Sequence, residues 1–118
     1  MARGPRPLGG LLVVAFDETN VRVRALEEAH RSWNQECRWA DVARVCFRDG
    51  GPWQSDTIYL ELHGRPQPLE IPIEARGGDE LLRELHARGL FPQPVFGQAI
   101  RSSDGGLYCW PPDGAEAR

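Results

Sequence analysis

Three stretches of this chain alternate apolar and polar residues with a period of two, and only one later stretch changes to a helical period. In Val21-Arg22-Val23-Arg24-Ala25 the valines fall on one side and the arginines on the other. Ile58, Leu60 and Leu62 alternate against Thr57, Tyr59, Glu61 and His63. Leu69, Ile71, Ile73 and Ala75 alternate against Glu70, Pro72 and Glu74. Successive side chains of a strand point to opposite faces, so each run predicts a strand with one buried and one wet face. Pro72 lacks a backbone donor, which puts the third strand at a sheet edge or gives it a bulge.

Other segments fill in the order. The apolar run over residues 11–16 reads as a buried strand, and residues 43–48 as another with Val45 and Phe47 on one face. Residues 78–89 carry the single helical stripe: Leu81, Leu82 and Leu85 on one side, Arg83, Glu84 and Arg88 on the other. Asp79 is the expected N-cap and Gly89 the C-terminal stop. Residues 26–37 fit both a helical and a strand spacing, and the reading taken is a loop over 27–32 with a strand after it. Residues 91–100 read as an extended segment broken by proline, and residues 107–110 as a short strand. Strands first and one late amphipathic helix predict an α+β domain with a strongly bent antiparallel sheet or two packed sheets. Residues 1–118 form one domain on this reading, with 1–7 a flexible leader and 113–118 a polar tail.

At this point a resemblance enters. Trp39-x-x-Val42-x-x-Val45, a Gly/Asp turn, Ser55-Asp56-x-Ile58-x-Leu60, the strand around Ile71, Gly78 before the helix, then Phe91-Pro92 and Tyr108-Cys109-Trp110 form a series. It resembles small bacterial proteins that are similar to pleckstrin-homology-like domains and have no established activity. The resemblance covers about two thirds of the chain, and the long stretch 26–37 departs from it. It implies a fold and leaves function open.

Composition excludes several classes. Net charge is −3; residues 1–50 hold eight Arg and seven acids, residues 51–118 six Arg and ten acids. Neither half has the clustered cations that nucleic acid requires. A pleckstrin-homology-like shape invites a phosphoinositide, but the turn at Asp17-Glu18 is acidic, and Glu27 and Glu28 follow Arg22 and Arg24, so a membrane role is disfavoured. All fourteen cations are Arg, which points to a GC-rich bacterial genome. No apolar run is long enough to span a bilayer. Three cysteines with wide, irregular spacing match neither a disulfide framework nor a zinc pattern. They read as small buried thiols, and the cytoplasm is the expected compartment.

No pattern carries chemistry. His30, His63 and His86 lie on separate elements without a His or Cys at ligand spacing, so no metal and no cofactor are expected. There is no nucleophile elbow. Gly50-Gly51 and Gly77-Gly78 are formal phosphate cradles, but Asp79 and Glu80 occupy the helix start behind the second. An enzyme is not expected. Trp33, Trp39 and Trp110 fit core or half-buried positions, whereas Trp53 falls in a Gly/Pro loop between acids. Asp49, Trp53 and Asp56 are therefore the candidate protein-binding residues. The expected function is non-catalytic interaction with a protein partner, in a concrete form an immunity-type protein neutralising a toxin. The alternative is a small-molecule-binding domain with a pocket between helix and sheet. Oligomeric state is not legible.

Overall fold

A computed structural model describes residues 9–50, 56–102 and 106–111. The expected leader, the polar tail and the loop tip carrying Trp53 lie outside the described residues. The chain forms two antiparallel sheets. In the first, β1 (Leu12–Phe16), β2 (Asn20–Ala25) and β3 (Gln35–Arg38) stand in chain order. In the second, β4 (Val42–Arg48), β5 (Thr57–Leu62), β6 (Leu69–Pro72) and β7 (Leu107–Trp110) stand in the order β6-β5-β4-β7. Two helices, α1 (Gly78–Ala87) and α2 (Gln93–Ser102), come between β6 and β7. This is the α+β class that the strand-first pattern predicts, in its two-sheet form.

The period-two patterns survive as burial. Val21 and Val23 are buried while Arg24 is exposed; Ile58, Leu60 and Leu62 are buried, as are Leu69 and Ile71. These side chains meet the buried face of α1, made of Leu81, Leu82 and Leu85, in one apolar core shared by both sheets. α1 packs against β1, and α2 against β4 and β7. Phe96 of α2 sets its ring edge-on to Phe47 of β4 at 5.2 Å between centroids. Pro72 closes β6, which is an edge strand as its missing N–H requires.

The β1–β2 turn is built by one carboxylate. Asp17 Oδ1 accepts the backbone N–H of Thr19 and of Asn20, each at 2.8 Å. Its Oδ2 meets Arg22 Nη2 at 3.1 Å. These donors, the Asn20 amide first, hold the Asp17 carboxyl well below the usual carboxylate range. A folded-state pKa below the unfolded one stabilises the fold at neutral pH, and that contribution is lost as pH falls through and below about 4. The urea midpoint of the wild type is therefore expected to drop more between pH 7 and pH 3 than that of Asp17→Asn, which keeps an acceptor but has no proton to gain. Equal pH dependence of the two proteins would contradict the assignment.

Several expectations are corrected. Residues 91–100 are not extended: α2 runs through most of them. Pro94 is the second residue of α2, and in the first turn a missing N–H breaks no intrahelical bond. Asp79 is not the N-cap: Gly77 is, in the left-handed region at φ 86°, and Asp79 lies inside the first turn. After β2 the expected strand is present as β3, but Glu28–Trp33 before it form a 3-10 turn in place of the expected loop, and Trp39–Asp41 after it form another. Trp33 and Trp39 are buried, but Trp110 is 38% exposed at the sheet edge. Ala75 is buried beyond the end of β6 rather than within a strand.

The cysteine expectation fails in part. Cys37 is a buried free thiol, but Cys46 and Cys109 form a disulfide. The two residues face each other across β4 and β7. Their sequence separation of 63 residues hid the pair, because only the closure of the second sheet brings β7 to β4.

Candidate functional site

The three residues singled out in the sequence flank one end of the second sheet. Asp49 follows β4, and its backbone N–H donates to the Gly106 carbonyl at 3.1 Å, fastening the loop base to the entry of β7. Asp56 precedes β5, and its Oδ1 accepts the Gly50 N–H at 2.9 Å. The Asp56 carbonyl accepts Ile73 N–H at 2.9 Å. The Asp56 carboxylate thus shapes the loop base from within, a role the sequence pattern did not show. Trp53 lies outside the described residues.

Beside this loop base, the register builds a continuous outer face. Tyr59 pairs with Glu70 on one side and with Cys46 on the other, and Cys46 pairs with Cys109. The next row places Arg48 between Thr57 and Leu107. Residues opposite one another in an antiparallel ladder share a face, so these side chains line one surface. A depression of about 210 Å3 opens there, lined by Cys46, Arg48, Tyr59, Glu61, Pro68 and Leu107. A second, of about 270 Å3, shares Glu61 and Pro68 with it and extends to Ala43, Leu62, Arg65 and Pro66.

Charge on this face is organised. Arg44 Nε donates to Glu61 Oε1 at 2.9 Å and Arg44 Nη2 to Oε2 at 3.3 Å, a two-point pair across β4 and β5. A planar guanidinium suits this fork geometry. Glu61, read from sequence as part of a solvated strand face, is half-buried and paired. Leu107 is 49% exposed, and with Trp110 it makes the four-residue β7 carry two of the large exposed apolar side chains of the described residues. Sequence reasoning missed this clustering because it needs β7 in register with β4.

A larger groove lies elsewhere. It has a volume of about 590 Å3 and is lined by Arg83, His86, Ala87, Gly89, Pro92, Gln93 and Pro94. It separates the two helices and does not lie between helix and sheet, where the alternative reading expected a pocket. On the core-facing side of α1, Leu81 and Leu85 are both at 0% exposure. His86 Nδ1 lies 2.6 Å from the Phe91 carbonyl. A carbonyl only accepts, so Nδ1 is the donor in this contact.

The histidines remain apart: His30 in the 3-10 turn, His63 after β5 and His86 on α1. Among the described residues no group of three or more His, Cys, Asp or Glu converges on a metal-sized site. The Cys37 thiol is pushed up to about 11 by burial, the opposite of what an activated nucleophile needs. No helix among the described residues is long and apolar enough to cross a membrane. Compared with known proteins, the chain matches no family model, no curated protein and no solved structure.

Proposed function

We propose that this chain is a non-catalytic protein-interaction domain, of the pleckstrin-homology-like kind that its apolar pattern resembles, and that it contacts its partner through the outer face of the second sheet at the β7 edge. The observation that carries the reading is the grouping of exposed Leu107, half-buried Tyr59 and the Arg44–Glu61 pair around a shallow depression. An apolar and aromatic centre with a charged rim is the usual anatomy of a protein contact. The expected candidates Asp49 and Asp56 stand at the end of the same sheet. In its narrower form the domain is an immunity-type protein that neutralises a toxin, steered toward a cationic partner by the ten acids of residues 51–118. The compartment follows the cystine: Cys46–Cys109 favours an oxidising setting over the cytoplasm expected from cysteine spacing.

The groove between α1 and α2 supports a second reading, small-molecule binding, since its volume of about 590 Å3 falls within the range of ligand sites. A photo-crosslinking amino acid at Leu107, with one at Arg83 on α1 as control, distinguishes the two. The interaction reading expects a protein captured at Leu107 and absent at Arg83. The purified complex is then expected to weaken roughly tenfold or more in Leu107→Glu, as for a contact centre, at an unchanged thermal midpoint. Equal capture at both positions, or unaltered affinity, contradicts it.

A further inference from the structure

We propose that the Cys46–Cys109 disulfide is a thiol-exchange site that works as a redox clasp on the edge strand β7. The clasp stands independently of what binds the neighbouring face. Its two sulfurs differ in access. Cys46 is 1% exposed, on a strand flanked by β5 and β7, whereas Cys109 is half-buried on the edge strand. An incoming thiolate must approach in line with the bond it breaks. Cys46 borders the depression beside Tyr59 and Glu61 but is itself almost fully covered; on the Cys109 side the path leads off the sheet, where no further strand is paired among the described residues.

Exchange is therefore directed to Cys109. A thiolate of an external dithiol attacks Cys109 Sγ, forming a mixed disulfide and releasing Cys46 as the thiolate. The second thiol of the dithiol then attacks its own mixed-disulfide sulfur, closing an oxidised cyclic dithiol and freeing Cys109. Two electrons pass from dithiol to cystine, and solvent supplies the protons that the two protein thiolates take up. The leaving Cys46 sulfur lies 3.7 Å from Glu61 Oε2. That carboxylate is already paired to Arg44 at 2.9 Å, so the thiolate meets a neutralised pair rather than a bare negative charge.

The consequence is local. Among the described residues β7 pairs with β4 alone, over four residue pairs. It is also attached through the Gly106–Asp49 backbone bond, the packing of α2, and Tyr108, which packs against the core. The fully buried core residues come from the other elements, and β7 adds the partly buried Tyr108. Breaking the clasp frees the edge that carries Leu107 and Trp110 while the rest of the domain stays folded.

The test treats the full-length oxidised protein with dithiothreitol under native conditions. It follows native thiol content and amide hydrogen exchange, with Cys37, buried at 4% exposure, as the internal unreactive thiol. The expected result is two new thiols per chain, protection in residues 107–110 reduced at least tenfold, and residues 57–62 unchanged. Reoxidation with an excess of oxidised dithiol restores protection. The Cys46→Ser/Cys109→Ser variant is expected to match the reduced protein and to ignore dithiothreitol; should it not fold, the wild-type comparison decides alone. A cystine that opens only on global unfolding overturns the proposal. So does unchanged protection of β7 after reduction, or an air-oxidised protein without the cystine.

Discussion

Gly77→Ala is expected to destabilise the domain by roughly 3 kcal/mol or more, the sum of left-handed backbone strain and overpacking. Gly77 sits at φ 86°, and a Cβ built there falls 2.2 Å from the Val14 carbonyl oxygen. That oxygen belongs to β1, and the segment is already bound to it: Val14 N–H donates to Arg76 O at 2.7 Å and Arg76 N–H to Leu12 O at 2.9 Å. Neither backbone can retreat without breaking this bridge. A thermal midpoint lower by roughly 10 °C or more is the corresponding reading for a chain of this size. Gly89→Ala provides the contrast, since Gly89 has φ 72° but nothing within 4 Å of its Cβ position. It should cost only the backbone strain, about 1–2 kcal/mol. Equal losses in both variants would show that residues 76–78 do not lie against β1. The Gly77-Gly78 pair, a formal phosphate cradle by sequence, is thus a close-approach joint: the Cβ of Gly78 would also lie 2.3 Å from the Ile73 carbonyl oxygen.

Leu85→Ala should cost about 2–5 kcal/mol, the range for large-to-small changes in a packed core. Leu85 is 0% exposed beside Leu81 on the face of α1 that joins the two sheets. Its carbonyl also accepts Leu90 N–H at 3.0 Å and Phe91 N–H at 3.3 Å, so the side chain sits where α1 turns toward α2. Urea unfolding with an unchanged slope and a lower midpoint would report a loss of packing alone. A loss under about 0.5 kcal/mol, the scale of surface changes, would mean that the stripe faces water.

Features that depend on neighbouring residues were legible in the amino-acid sequence. Val21 and Val23, Ile58 to Leu62 and Leu69 to Ile71 alternate because one face must leave water, and the apolar members of each run are buried. The stripe at Leu81, Leu82 and Leu85 announced α1 for the same reason. Pro72 announced an edge or a bulge because a residue without an N–H cannot serve a central ladder, and β6 stands at the edge. Local patterning was ambiguous where two signals competed. Pro92 and Pro94 read as breakers for α2, but a proline in a first turn is compatible with a helix, and Phe96 draws that helix onto Phe47.

Only tertiary structure decided the rest. Cys46 and Cys109 are bonded because β7 closes the second sheet against β4, a pairing between residues 63 apart in the chain that no short-range pattern encodes. The candidate face has the same origin. Leu107, Arg48, Tyr59 and Glu61 become neighbours through strand register alone, and register is set by which strands meet. Asp56, a contact candidate by composition, also has a role that only the fold shows: its Oδ1 accepts the Gly50 amide. A backbone donor that leaves the ladder needs an acceptor, and for Gly50 the Asp56 carboxylate supplies it.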